Sequence, residues 1–172
     1  MPAFSGLADP SVVEDCIMTS RTLLIIGHVP SPNTQRLRDA VLEGALSVDA
    51  ETVSVDARSP FETTPDDVKA AAALVLGTTE NLGYMSGALK DFFDRCYYPC
   101  LEETRAKPYA LYIRAGLDGT GTRRAVESIA GGLGWRAVSE PLLLKGEWQD
   151  GFAGEAHELG MLMAAGLDAG IF

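Results

Sequence analysis

Apolar residues along the chain follow two rhythms, and the alternation between them sets out the elements. Thr22 to Ile26 is a continuous aliphatic run closed by Gly27, the pattern of a strand buried on both faces of a parallel sheet. From Asn33 the period lengthens. Leu37, Ala40, Val41, Leu42 and Ala45 recur at spacings of three and four, with Arg36, Arg38, Asp39 and Glu43 opposite, which predicts an amphipathic helix. Glu51 to Asp56 alternates as a half-buried edge strand does. Thr64-Pro65-Asp66-Asp67 is a helix start, with Thr64 as N-cap and Pro65 in the first helical position. Ala73 to Thr79 predicts a second buried strand, with Thr79 to Tyr84 as its loop. Met85, Ala88, Leu89, Phe92 and Phe93 mark the clearest helix, expected to end at Tyr97-Tyr98-Pro99. A strand over Pro108 to Arg114, a Gly-rich turn over Ala115 to Gly121 and a helix stopped by Gly134 follow. Val138 to Leu144 is a fifth strand with a bend at Pro141, and a helix over about Gly154 to Gly166 closes the chain.

Five strands alternating with five helices predict a three-layer α/β domain whose strands are parallel and whose crossovers are right-handed. Ligands in such sheets bind outside the carboxyl ends of the strands. Three turns lie there, Gly27 to Thr34, Thr78 to Tyr84 and Ala115 to Thr122, and Glu80 and Asp118 are their only acids. The first is suited to an anion. The first turn of a helix leaves backbone N–H groups without partners and carries the positive end of the helix dipole, and Ser31, Asn33 and Thr34 add hydroxyl and amide donors. The same residues equally suit a plain helix cap.

Composition narrows the chemistry. The 172 residues suit one domain, and a formal charge of −10 argues against nucleic acid, since counterion release needs a basic face. No apolar run is long enough to span a membrane. The first twenty residues contain Asp9, Glu14 and Asp15 without a basic or apolar leader pattern, so residues 1–20 are expected to be an N-terminal extension and the protein to be cytoplasmic. Met18, just before the first strand, is an alternative start. Cys16, Cys96 and Cys100 lack metal spacing, and with two histidines in the chain no metal site is expected; the cysteines read as free thiols. The Walker A pattern is absent, and so is Gly-x-Gly-x-x-Gly after the first strand. Ser86 is out of register for a Gly-x-Ser-x-Gly elbow.

At the three turns the sequence resembles the flavodoxin-like superfamily, in its NAD(P)H-dependent FMN reductase and quinone reductase branch. Ser31-Pro32-Asn33-Thr34-Gln35-Arg36-Leu37 is similar to the branch's first loop, and Gly77 to Arg95, reading GTTENLGYMSGALKDFFDR, to its Gly-Thr-Pro…Met-Ser-Gly-x-Leu-Lys…Asp-Arg signature. Ala115 to Thr122, leading to Gly134, resembles its Gly-rich third loop. The resemblance implies a flavodoxin-like domain over 21–172 with strand order 2-1-3-4-5 and one bound FMN. Ser31, Asn33, Thr34 and Gln35 would hold the phosphate. Thr78, Thr79, Glu80, Asn81, Leu82, Gly83 and Tyr84 would run along the ring, and Gly116, Asp118 and Gly119 would close its other side.

No catalytic acid or base is implied, because the flavin carries the redox chemistry. The resemblance further implies NAD(P)H as electron donor, a quinone or other small-molecule acceptor, and a homodimer or homotetramer whose interface includes Tyr97, Tyr98 and Leu101. Three departures stand out. Thr79 replaces the usual proline, Glu80 and Asn81 replace the small or aromatic residues expected beside the ring, and Glu80 would bring a negative charge there unless it turns to solvent. Three function classes therefore fit: an FMN-dependent reductase, a flavodoxin-type electron carrier, and a flavodoxin-fold protein that has lost flavin binding.

Overall fold

The computed structural model describes residues 20–172, so all but Ser20 of the expected extension lies outside the described residues. In chain order the elements are β1 (Arg21–Gly27), α1 (Pro32–Ser47), β2 (Val53–Arg58), α2 (Pro65–Ala70), β3 (Ala73–Asn81) and β4 (Tyr84–Met85). They continue with α3 (Gly87–Cys100), β5 (Pro108–Ala115), α4 (Thr120–Gly132), β6 (Arg136–Ala137), β7 (Leu142–Lys145) and α5 (Gly151–Asp168). The sheet runs β2-β1-β3-β5, and both β6 and β7 pair with the far edge of β5. All these pairings are parallel. The expected 2-1-3-4-5 order holds, with the last strand divided. β6 meets Pro108 and Tyr109 and β7 meets Tyr112 to Ala115. Pro141 lies in the gap, where a residue without an N–H cannot donate to the ladder.

The side-chain alternation of β1 and β3 builds two cores. Leu23, Ile25 and Val75 face α1 and α5, packing with Leu37, Val41, Phe152 and Met163. Leu24, Ile26, Leu74 and Leu76 face α2, α3 and α4, packing with Phe92, Phe93, Leu111 and Trp135. Each fully buried side chain of this size contributes roughly 1.5–3 kcal/mol.

Two local expectations give way to packing. The third helix runs through Pro99 to Cys100 rather than ending before the proline. Pro99 sits in the final turn, and the turn persists because Cys100 is buried with its thiol 3.7 Å from the Pro65 carbonyl. The segment expected as a loop after the second buried strand is a hairpin: β3 extends to Asn81 and returns antiparallel as β4, with Glu80 opposite Met85 and Asn81 opposite Tyr84.

Beneath the carboxyl ends of the strands lies Tyr112, whose side chain crosses Gly77 and reaches Gly27. A Cβ on Gly77 would come within 2.1 Å of the phenol, and one on Gly27 within 2.9 Å of its oxygen. Both strands thus carry glycine where the ring needs room.

Candidate functional site

The first loop is shaped by the cap of α1. Ser31 is the N-cap, its hydroxyl accepting from the Thr34 N–H at 3.3 Å, while the Thr34 hydroxyl accepts from the Ser31 N–H at 3.0 Å. A threonine hydroxyl has one proton, and that of Thr34 is directed to the Ser31 carbonyl at 2.8 Å. Thr34 is buried, so its side chain serves as the cap, whereas Ser31, Asn33 and Gln35 stay exposed. The cap alternative is therefore realised at Ser31 and Thr34. The Asn33 N–H, in the first turn, has no intrahelical partner. No acid stands in that turn to mask the positive end of the helix. The loop is tied to the sheet by the His28 N–H, which donates to the Gly77 carbonyl at 3.0 Å. Burial pushes the pKa of His28 down, favouring a neutral ring beside this loop.

The second loop is the β3–β4 hairpin, and its base is locked by Thr78 and Ser86, both buried. Thr78 Oγ1 accepts from the Ser86 N–H at 3.0 Å and lies 3.1 Å from Ser86 Oγ, which in turn caps α3 by accepting from the Leu89 N–H at 3.2 Å. Thr78 therefore acts through its side chain on the fold. Thr79 Oγ1 donates to Asn81 Oδ1 at 2.9 Å. The turn itself is Leu82 (φ 54°) and Gly83 (φ 74°), the pair of positive φ values of a type I′ hairpin. Leu82 is fully exposed and Tyr84 is 41 % exposed.

The third loop comes up against this hairpin. Glu80 does not point to solvent: its carboxylate accepts from the Leu117 N–H at 2.8 Å and from the Gly119 N–H at 3.1 Å. Gly119 adopts φ 72° as the N-cap of α4, and Asp118 Oδ1 accepts from the Thr120 N–H at 2.9 Å. The Thr120 backbone and hydroxyl hold the Asp118 carboxyl below the usual carboxylate range. Gly116 is exposed, as is Leu117 at 75 %. One turn into α4, a Cβ on Gly121 would meet the Gly83 carbonyl at 2.1 Å, so the hairpin tip rests directly on α4.

Behind these loops the chain is braced by two arginines. Arg36 stacks over Trp148 at 4.9 Å, linking the first turn of α1 to the β7–α5 connection. Arg114 donates to the carbonyls of Ala115, Leu144 and Gly146 and lies 5.5 Å over the Phe152 ring.

The structure thus places Ser31, Asn33, Thr34 and Gln35 in the first turn of α1, and Thr78, Thr79, Glu80, Asn81, Leu82, Gly83 and Tyr84 on the hairpin. Gly116, Asp118 and Gly119 lie on the turn between β5 and α4. Hairpin and third loop touch; the first loop joins them through Gly77. Three contributors lie outside the residues expected to hold the cofactor. Ser86, before an amphipathic helix, carried an N-cap signal. The Leu117 N–H carried none, because every non-proline residue has one. Tyr112 read as an ordinary strand residue, yet its hydroxyl is fully buried without a hydrogen-bond partner beneath Gly27 and Gly77. Of the residues expected at an interface, Tyr98 is exposed while Tyr97 and Leu101 pack partly on the core. Cys96 and Cys100 are buried free thiols, and burial pushes Cys96 up to about 12, which keeps it protonated. Among the described residues no group of histidine, cysteine and acidic side chains is arranged for a metal, and no helix is long and apolar enough to cross a membrane.

The first loop fits the phosphate of FMN, which requires backbone and amide donors at an unmasked helix N-terminus. Comparison with known proteins agrees with this fit. The chain is 30% identical over 107 residues to a flavodoxin of Aquifex aeolicus (strain VF5), a match that takes in 62% of this chain. The chain spans 57% of the length of that relative. A flavodoxin from the domain Archaea superposes with a TM-score of 0.70 at 20% identity, covering 84% of this chain and 96% of its own. The flavodoxin, WrbA-like protein from Agrobacterium tumefaciens superposes at 0.67 with 21% identity, covering 88% and 99%. These two likenesses show the fold. Residues 21–149, which hold all three loops, match the family model of NADPH-dependent FMN reductase, and the chain belongs to that family.

Proposed function

We propose that the protein takes electrons from NAD(P)H and delivers them, by way of bound FMN, to a quinone or another flat apolar acceptor. The observation that carries this reading is the character of the rim. The Glu80 carboxylate is taken up by the Leu117 and Gly119 N–H groups, while Leu82, Tyr84 and Leu117 present exposed apolar surface on the same two loops. An isolated exposed leucine is unremarkable; three exposed apolar side chains on two touching loops at the strand ends suit a hydrophobic, planar substrate.

When bound, FMN supplies the hydride and electron transfer. The chain's own residues bind and orient. The first turn of α1 receives the phosphate through the Asn33 N–H and the exposed side-chain amides of Asn33 and Gln35, while the Ser31 hydroxyl caps the helix and holds Thr34. The hairpin and third loop would border the ring, and the Thr78–Ser86 lock keeps the hairpin in register. The electron carrier is the second reading. Against it, the 115–121 turn has no aromatic residue to stack on the ring, which favours access of a substrate to one face of the flavin.

The test is the visible spectrum of the purified protein after addition of FMN and removal of excess by gel filtration. A retained flavin spectrum that bleaches with NADPH and recovers with a quinone is the expected result. Retained flavin that NADPH leaves oxidised assigns the carrier role. No retained flavin removes the cofactor reading.

A further inference from the structure

Along α5, Glu155, Glu158, Leu162, Ala165 and Ala169 recur at spacings of three and four, so they share one face of the helix, and all five are exposed. This face lies opposite Gly160, where α5 rests on α1. Two hollows separate it from the divided last strand of the sheet. One, of about 300 Å³, runs between Ser139 to Leu142 on the strand side and Glu155 and Glu158 on the helix. The other, of about 450 Å³, lies between Val138 and the end of α5 and is lined by apolar residues alone. Leu162 borders both, so together they form one groove, and none of the residues expected to hold FMN lines it.

The groove has a direction. Glu155 and Glu158 stand at one end, and neither belongs to an ion pair formed among the described residues. Arg136 stands at the other: β6 pairs it with Pro108, where β5 begins, whereas Leu142 beside the glutamates pairs with Tyr112. Strand alternation puts Arg136 on the same side of the sheet as Val138, which packs toward α5. Arg136 is exposed and also takes part in none of those ion pairs. Between the two ends the surface is apolar, with Leu162 47 % and Ile171 73 % exposed.

We propose that this groove is the docking surface for a second copy of the chain, the two α5 helices lying antiparallel about a two-fold axis near Leu162. A two-fold axis brings the same patch of both copies together. Here it sets apolar surface against apolar surface at the centre and the Arg136 end of each copy against the Glu155 and Glu158 end of the other, so opposite charges meet twice at the rim. An unrelated protein would have to carry the same order of charge and apolar surface in reverse, which the chain itself already supplies. The interface is on a different helix from Tyr97, Tyr98 and Leu101, and it leaves the three cofactor loops uncovered.

The experiment is analytical ultracentrifugation of the full chain at tens of micromolar, with charge swaps across the groove. Wild type should sediment as a dimer and Leu162→Asp as a monomer. Arg136→Glu should weaken association by more than about tenfold, because like charges then face each other at both ends, and Glu155→Arg with Glu158→Arg should do the same. All three substitutions together restore the opposite charges and should restore the dimer, a rescue that a misfolded variant cannot give. Tyr98→Asp should leave the dimer intact, and FMN should bind the Leu162→Asp monomer as it binds wild type. A monomeric wild type, a dimer that Tyr98→Asp rather than Leu162→Asp dissociates, or a triple variant that stays monomeric overturns the inference. Loss of FMN binding in step with loss of the dimer overturns an interface separate from the cofactor loops.

Discussion

The two ends of the sheet satisfy their polar groups in different ways. Where the strands begin, side chains pair with side chains: Arg21 donates to Thr52 Oγ1, Thr52 Oγ1 donates to Asp168 Oδ1 at 2.6 Å, and the buried Trp135 Nε1 donates to Thr104 Oγ1 at 2.8 Å. Where they finish, Ser31, Glu80 and Asp118 accept from backbone N–H groups of the chain's own turns. Leu82, Tyr84 and Leu117 are exposed there. At the first end these bonds join parts of the fold to each other. The second consists of turns held in place by groups that leave further donors and apolar surface facing outward. Stability and ligand binding should therefore separate along the strand axis, and substitutions at the two ends should report on different properties.

The largest effect is expected at Gly121. A methyl there would meet the Gly83 carbonyl at 2.1 Å, and backbone cannot rotate away as a side chain can. Overpacking of this kind costs about 1–3 kcal/mol. The hairpin is a two-residue turn on the surface, so it relieves the contact by lifting from α4 rather than by disturbing the core. Gly121→Ala should weaken FMN by roughly one to two orders of magnitude, since 1.4 kcal/mol is tenfold in affinity. Its urea midpoint should stay close to wild type. A lowered midpoint with FMN affinity intact would place the hairpin among the stability elements and erase the contrast between the ends.

The converse is expected at Thr104. Its hydroxyl accepts from Trp135 Nε1 and donates to the Cys100 carbonyl at 2.9 Å, with both side chains buried. Thr104→Val keeps the shape and strands the indole N–H, which costs about 1–3 kcal/mol. Urea denaturation should show the loss, and FMN titration should show none. A change in FMN affinity would mean that the two ends communicate through β5.

What could be read from sequence divides along similar lines. The element order and the two faces of the sheet follow from local periodicity, because Leu23 and Ile25 must lie opposite Leu24 and Ile26 on any strand. Thr64 and Ser31 behave as caps because their partners are three residues away. Glu80 could not be placed in this way: its partners are anonymous backbone amides in another loop. The hairpin was hidden for a related reason, since a type I′ turn usually announces itself by Asn-Gly at its centre, and here Leu82 precedes Gly83. Pro99 misled in the opposite direction. A sound local rule predicted the helix end, and the burial of Cys100 carried the last turn past it.

Leu82 offers the smallest expected change and the sharpest question. A leucine at φ 54° bears a cost of about 1–2 kcal/mol for crowding its own backbone. Its side chain is fully exposed, so no burial within the chain offsets that cost. Glycine removes the strain but has more freedom to lose on folding, roughly 0.5–1 kcal/mol. Leu82→Gly should therefore stabilise the protein by about 0.5–1 kcal/mol in urea denaturation. A residue held in a costly conformation without packing of its own makes sense if its contacts come from a ligand. In steady-state kinetics the variant should show a KM for a hydrophobic quinone raised severalfold, with the KM for NADPH unchanged. A stabilised variant whose quinone KM matches wild type would separate strain from function at this tip and move acceptor recognition to Tyr84 and Leu117.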